Sequence, residues 1–435
     1  MSSTSKPASS ERDERALEYQ RIAEHDAMSH PSLAGVAPRA VQRVAVIGAG
    51  TMGVGIAIAA LDAGCNVTLV EQDDAALTRG WGKIKSHYVR RVQSGKVTAD
   101  EAAAREERLV ATTDWNEMRD VDLVIEAVFE EMAIKCEVFK RLDSIVRPGA
   151  ILATNTSYLD IDAMASATAR PQDVIGLHFF SPANVMRLLE IVRGARSAPD
   201  ALATGLELAK RMRKMPVIAG NAFGFIGNRV WAAYRRQCEY MLEEGALPEQ
   251  IDKAIEGFGF AMGPFAVADL AGLDIAWRIR KSQAATRDPS ARYVRIPDRL
   301  CEAGRFGRKT GSGYYVYPEG SKDKHNDPFV HKVIEEASAE KGIVRRELSA
   351  EEIQRRALLA MANEASLLLA EGVAARPSDV DVVLANGYGF PRSQGGPVFW
   401  ARERGAEALS RDVDWLAQMT GPGFIRGDLR FLMEK

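Results

Sequence analysis

Residues 43–71 read RVAVIGAGTMGVGIAIAALDAGCNVTLVE. No residue from Val44 to Leu61 is charged, a run nominally long enough to span a membrane. The glycines at 48, 50, 53 and 55 argue for a different structure: a buried strand over Val44–Ile47, a tight turn, an alanine-rich helix to about Ala63, and a second apolar strand ending at Glu71. The spacing Gly48-x-Gly50-x-x-Gly53, with Thr51 and Met52 before the last glycine, suits a dinucleotide-binding turn. It gives a sharp bend, a backbone that can approach a pyrophosphate, and close packing of helix on strand. The helix start then offers free N–H groups to phosphates. Glu71 sits where a carboxylate accepts from ribose hydroxyls and repels a 2′-phosphate, so NAD is expected over NADP.

Outward from this unit the alternation continues through DLVIEAVFE (122–130), a helix from about Met132 to Val146, and AILATNTSYLDI (150–161). This is a doubly wound α/β pattern, in which ligands gather at the carboxyl ends of the strands. Asn155, Thr156 and Ser157 end one such strand. Residues 174–192, VIGLHFFSPANVMRLLEIV, then hold two apolar runs with one ionisable residue in each, His178 and Glu190. Either one buried alone would lose hydration without compensation. They are therefore read as partners, either a satisfied structural pair or a catalytic one.

Composition limits the function classes. The chain has 435 residues, 46% hydrophobic and 27% charged, which suffices for several cores. A formal net charge of −2 disfavours a dedicated nucleic-acid or membrane-surface protein. Cys65, Cys136, Cys238 and Cys301 lie far apart, as reduced thiols in a cytoplasmic protein would. No histidine spacing implies a metal. The amino-terminal residues lack an apolar signal core and fit a transit peptide poorly.

One charge run stands out. Residues 75–99 carry Arg79, Lys83, Lys85, Arg90, Arg91 and Lys96 and no acid. Such a run is a solvated helix face or a surface for a polyphosphate substrate. Further on, residues 239–264 are echoed by 366–397: Glu244-Gly245 by Glu371-Gly372, Ile251-Asp252 by Val380-Asp381, and Gly257-Phe-Gly-Phe by Gly387-Tyr-Gly-Phe. This is an internal repeat of a helical unit. Arg355-Arg356 stand where the first copy has Asn228-Arg229, so the second copy reads as structural.

The motifs IGAGTMGVGIA, IEAVFEEMAIK, NTS, GLHFFSP, LLEIV, FGFIGNR, GFAMGPF and GRKTGSGYY, in this order, resemble the 3-hydroxyacyl-CoA dehydrogenases over roughly residues 41–320. The resemblance implies NAD-dependent oxidation of (S)-3-hydroxyacyl-CoA to 3-ketoacyl-CoA, as in β-oxidation. It implies His178 as general base, Glu190 as its orienting carboxylate, and Ser157 and Asn228 as hydrogen-bond donors to the substrate oxygen. Glu130, Lys135, Asn155, Ser181 and Lys309 would line the cofactor site beside Gly48, Gly50, Thr51, Met52, Gly53 and Glu71. Ser181 stands where short-chain members have asparagine, as in the multifunctional members. The basic segment matches the helical region that meets coenzyme A. The expected architecture is a Rossmann-type doubly wound domain (41–220) followed by two tandem all-α domains (221–320 and 349–435). A linker (321–348) joins those two, and an amino-terminal segment (1–40) carries a linker-like helix. This resembles the dehydrogenase half of the multifunctional fatty-acid oxidation enzymes. Forty residues cannot hold an enoyl-CoA hydratase domain, so a separate hydratase and a thiolase are expected. A monomer is expected, with a homodimer as the alternative. Two other function classes are a CoA-independent 3-hydroxy acid dehydrogenase and a non-catalytic dinucleotide-binding scaffold.

Overall fold

The computed structural model describes residues 8–321 and 323–434. These form two compact units, each assembled from separate stretches of chain.

The first unit comprises Glu18–Asn228 together with Glu371–Tyr388. Its centre is one eight-stranded sheet: β1 (Arg43–Ile47), β2 (Asn66–Val70), β3 (Leu109–Thr112), β4 (Leu123–Glu126), β5 (Ile151–Thr154), β6 (Val174–Phe179), β7 (Leu188–Arg193) and β8 (Met215–Gly220). The order is β3-β2-β1-β4-β5-β6-β7-β8. Strands β1 to β6 are parallel, β7 runs antiparallel to β6, and β8 is parallel to β7. This is the doubly wound pattern expected from the sequence, with its order reversing between β1 and β4. Strands buried on both faces read as unbroken apolar runs, and β4 and β5 are buried at every position. The helix Thr51–Asp62, buried from Gly53 to Leu61, packs on β1 and β2. Close packing depends on Gly53, where a Cβ would lie 1.8 Å from the Gly48 carbonyl oxygen.

The carboxyl-terminal repeat enters this unit. Its helix Pro377–Gly387 packs against β7 and β8. At the edge of the sheet, Ala219 bridges Ala374 antiparallel, and Gly220 N–H donates to the Val373 carbonyl at 2.8 Å. Gly387 sits so close to β7 that a Cβ would lie 2.4 Å from Leu188 Cδ2. Residues 18–42 belong here as well: Tyr19 donates to Asp381 at 2.8 Å, and Arg39 pairs with Asp173 and Asp200 at 2.7 and 2.8 Å.

The second unit comprises the described residues up to Leu17, Arg229–Ala370, and those from Gly389 onward. It is helical, and Ala350–Ala370 packs against Pro248–Phe258, Pro397–Arg404 and Ala406–Thr420. Arg356, fully buried, bonds Glu244 and Gln237, while Arg355 pairs with Asp412.

The sequence-based domain bounds differ from this partition in three ways. Residues 371–388, assigned above to a separate second helical domain, join the sheet. The stretch 321–348 is not a plain linker, because Pro328–Glu340 is a helix that buries Val330, Val333, Ile334 and Ala337. That apolar spacing of three, four and seven is helical, and the surrounding charges obscured it. The segment 1–40 is split: residues 1–7 lie outside the described residues, Ala8–Ala27 is a helix, and from Glu18 onward the chain belongs with the sheet. Among the described residues no helix is long and apolar enough to cross a membrane, and no cluster of side chains could hold a metal ion.

Candidate active site

Because β1 to β6 run parallel, their carboxyl ends gather on one side of the sheet. The turn after β1 carries Gly48 with φ of 100°, a conformation that favours glycine. A Cβ there would lie 2.7 Å from the Ala127 carbonyl oxygen. Gly50 caps the following helix without any side-chain hydrogen bond, and the space where its Cβ would stand is open. Free amides of Thr51, Met52 and Gly53 over an open glycine fit a dinucleotide pyrophosphate. Glu71 accepts from Ala49 N–H and Gln72 N–H, both at 2.8 Å. A carboxylate has about four acceptor positions, so two remain for ribose hydroxyls.

After β4, Glu130 Oε1 accepts from the Thr156 hydroxyl at 2.6 Å and from Ser157 N–H at 2.8 Å. Asn155 accepts from Phe179 N–H at 2.9 Å, tying the ends of β5 and β6 together. Lys135 is 1% exposed and bound to Glu126 at 2.7 Å, with Glu130 at 3.5 Å. It lies beneath the site as a buried cross-link rather than as a side chain open to a ligand. Glu126, itself fully buried, also accepts from Val128 N–H and the Thr154 hydroxyl at 2.7 and 2.8 Å. Sequence reading passed over Glu126, although a lone acid ending an apolar strand is the same signal that singled out Glu190.

His178 and Glu190 are direct cross-strand partners in the β6–β7 register, which the antiparallel turn of β7 makes possible. Imidazole Nδ1 lies 2.7 Å from Glu190 Oε2, with side-chain exposures of 5% and 0%. The other oxygen, Oε1, accepts from Ile226 N–H at 3.1 Å and Gly227 N–H at 3.0 Å, where the helix Gly227–Glu244 begins. Phe225, at φ of 47°, takes up the left-handed backbone that turns these amides toward Glu190. A hydrogen bond from the imidazole to this carboxylate fixes the ring's tautomer. Nδ1–H is then the donor to Glu190, and Nε2 is the nitrogen left for a substrate. The ring packs against Phe180 and Phe225, with centroids 4.4 and 5.6 Å away.

Asn228 Nδ2 lies 3.5 Å from the Ser157 carbonyl oxygen, so Ser157 and Asn228 meet. Asn228 Oδ1 accepts from the Tyr388 hydroxyl at 2.8 Å, a residue the sequence reading did not select. Ser181 is exposed just past β6. Lys309 belongs to the helical unit, where it pairs with Asp274. On the helix Asp74–Gln93 and just after it, Arg79, Lys83, Lys85, Arg90 and Lys96 are exposed. Lys85 stands over the half-exposed Trp81 ring, 5.4 Å from its centroid.

Residues 43–222 match the family model of the 3-hydroxyacyl-CoA dehydrogenase NAD-binding domain, and residues 224–317 match that of the 3-hydroxyacyl-CoA dehydrogenase C-terminal domain. The chain is 42% identical to the peroxisomal bifunctional enzyme of Danio rerio, over 92% of this chain and 58% of that protein. It thus spans little more than half the length of this relative. Among solved structures, 3-hydroxybutyryl-CoA dehydrogenase from Escherichia coli K12 aligns with a TM-score of 0.77 at 28% identity, covering 88% of this chain and 96% of the other. FadB2 of M. tuberculosis aligns at 40% identity with a TM-score of 0.60, covering 64% of this chain and all of that one.

Proposed function

Because the chain belongs to the 3-hydroxyacyl-CoA dehydrogenase family, NAD-dependent oxidoreductases acting on CH–OH groups, we propose that it interconverts an (S)-3-hydroxyacyl-CoA and its 3-ketoacyl-CoA, as in β-oxidation. The observation that carries this reading is the His178–Glu190 pair, with one imidazole nitrogen committed to a buried carboxylate and the other left over. NAD, when bound, supplies the hydride acceptor. The Gly48–Gly53 turn would hold its pyrophosphate, Glu71 its adenosine ribose, and Glu130, Asn155 and Ser181 would line the nicotinamide end. Lys135 supports that lining through Glu130 and Glu126.

His178 Nε2 takes the proton of the 3-hydroxyl, and Glu190 stabilises the resulting imidazolium without accepting that proton itself. Amide donors at Oε1 hold the carboxylate in place beside the ring. Ser157 Oγ and Asn228 Nδ2 donate to the substrate oxygen as it becomes a carbonyl. The apolar walls of Phe180 and Phe225 lower the local dielectric, which strengthens the ion pair and excludes water.

The basic face of 75–99 would meet the phosphates of coenzyme A. A monomer and a cytoplasmic location complete the proposal; they rest on the repeat and the scattered cysteines. The test is NADH absorbance with acetoacetyl-CoA, free acetoacetate or no addition. Consumption with acetoacetyl-CoA alone is the expected result. Equal rates with free acetoacetate would favour a CoA-independent enzyme, and no consumption in any arm would favour a scaffold.

A further inference from the structure

Tyr388 reaches the reacting groups from the far end of the chain. It follows the helix Pro377–Gly387, in the part of the second repeat that belongs to the sheet unit. Its ring lies directly over the backbone where the helix Gly227–Glu244 starts. A Cβ on Gly227 would stand 2.3 Å from Tyr388 Cε2 and 2.7 Å from its hydroxyl oxygen. Glycine at 227 is what admits the ring, and glycine at 387 is what lets the preceding helix end against Leu188. The ring meets Phe180 edge-on at 5.5 Å, and Phe180 in turn packs on His178. Burial pushes the phenol well above its usual range, so it remains protonated and able to donate.

An asparagine amide has two chemically opposite ends of nearly equal shape. With Oδ1 facing the Tyr388 hydroxyl, Nδ2 turns toward the Ser157 carbonyl and the substrate oxygen. Turned the other way, Oδ1 would face that oxygen as negative charge builds on it, and the interaction would be repulsive. We infer that Tyr388 is a positioning residue for the reaction, holding the Asn228 amide in the donor orientation. The inference rests on the dehydrogenase reading above and places the second repeat inside the catalytic apparatus.

Tyr388→Phe removes the hydroxyl and keeps the ring over Gly227. With acetoacetyl-CoA and NADH, kcat should fall roughly ten- to a hundred-fold, as for a misdirected oxyanion donor. KM for the acyl-CoA, NADH binding and the melting temperature should stay near wild type. Tyr388→Phe added to Asn228→Ala should cause no further loss, because the two act as one unit. A purely structural tyrosine would instead lower the melting temperature and act independently of Asn228. Wild-type kcat in Tyr388→Phe, or fully multiplicative losses in the double variant, would overturn the inference while leaving the dehydrogenase reading intact. An inactive wild-type protein would remove both.

Discussion

Each unit contains a buried carboxylate closed over the backbone amides at a helix start. In the sheet unit, Glu190 Oε1 accepts from Ile226 and Gly227 N–H. In the helical unit, Asp252 accepts from Phe265 and Ala266 N–H at 2.9 and 3.1 Å, where the helix Pro264–Ala271 begins. Both acids are at most 1% exposed, and both sit at the positive end of a helix dipole. They differ in what takes the remaining acceptor capacity. Asp252 is closed by the Tyr315 hydroxyl at 2.7 Å and the Lys324 ammonium at 3.2 Å. Glu190 is closed by an imidazole, which brings a second nitrogen able to exchange a proton. Burial and amide contacts are therefore common to an acid closed on all sides and to the one proposed as part of the catalytic pair. A titratable partner with an open valence separates them.

The largest test of this contrast is to remove the open valence. His178→Ala should lower turnover by about 10²–10⁴ with NADH binding nearly unchanged, and Glu190→Gln should do comparable damage through lost orientation. Activity within threefold of wild type in either variant would erase the distinction drawn between Glu190 and Asp252.

The closed acids should reveal themselves through stability and pH instead. Asp269 accepts from Tyr314 and Tyr315 N–H at 2.8 and 2.9 Å and from the Tyr317 hydroxyl at 3.0 Å. Burial nevertheless pushes its carboxyl up to about 6. A folded-state value above the ordinary 3.8 means that the native protein holds this proton more tightly than the unfolded chain does. The associated stability is fully present below about pH 4 and is lost as pH rises through 6, on the order of 3 kcal/mol for such a shift. Denaturation midpoints between pH 4 and 6.5, wild type against Asp269→Asn, should show this slope in the wild type only. Parallel curves would mean that the amides fully compensate the burial.

Open valence applies to cations as well. Unlike Arg356, which Glu244 holds, Arg90, Arg91 and Lys96 pair with no carboxylate among the described residues. Reversing all three to glutamate should raise KM for the acyl-CoA about tenfold at low salt, less so as screening grows. An unmoved KM in the folded variant would make this face merely solvated. The smallest effect should come from Glu71, two of whose acceptor positions are already filled. A small neutral residue there should weaken NAD binding and narrow its advantage over NADP by a few fold, as expected when a ribose-binding acid is lost. An unchanged cofactor ratio in equilibrium titration would count Glu71 among the closed acids.

The sheet was legible because its strands are uncharged runs, and the few acids within them had to be accounted for. That rule found Glu190, and the same signal was there for Glu126. The helical unit was harder to read. Asp252 and Asp381 align in the repeat, but a short-range pattern does not reveal which amides a distant loop will bring. Tyr388 was hidden for a related reason. Its contacts with Asn228 and Phe180 span 160 and 208 positions of the chain, and the repeat pairs it with Phe258, suggesting packing alone. The helix Pro328–Glu340 was lost among charges. Its buried stripe follows helical spacing, while the composition around it resembles a solvent-exposed connector.

The bridge between Ala219 and Ala374 covers one end of a sheet edge. A terminal strand of a sheet is a template on which another chain can add itself. Strand β8 is such a strand, and it is blunted at both ends: Pro216 offers no N–H near its start, and at its finish Gly220 N–H is spent on Val373. The duplicated segment therefore shields the protein from intermolecular strand addition. Mutations that loosen residues 371–376 from the sheet should first appear as a tendency to form fibrils, before any change in turnover.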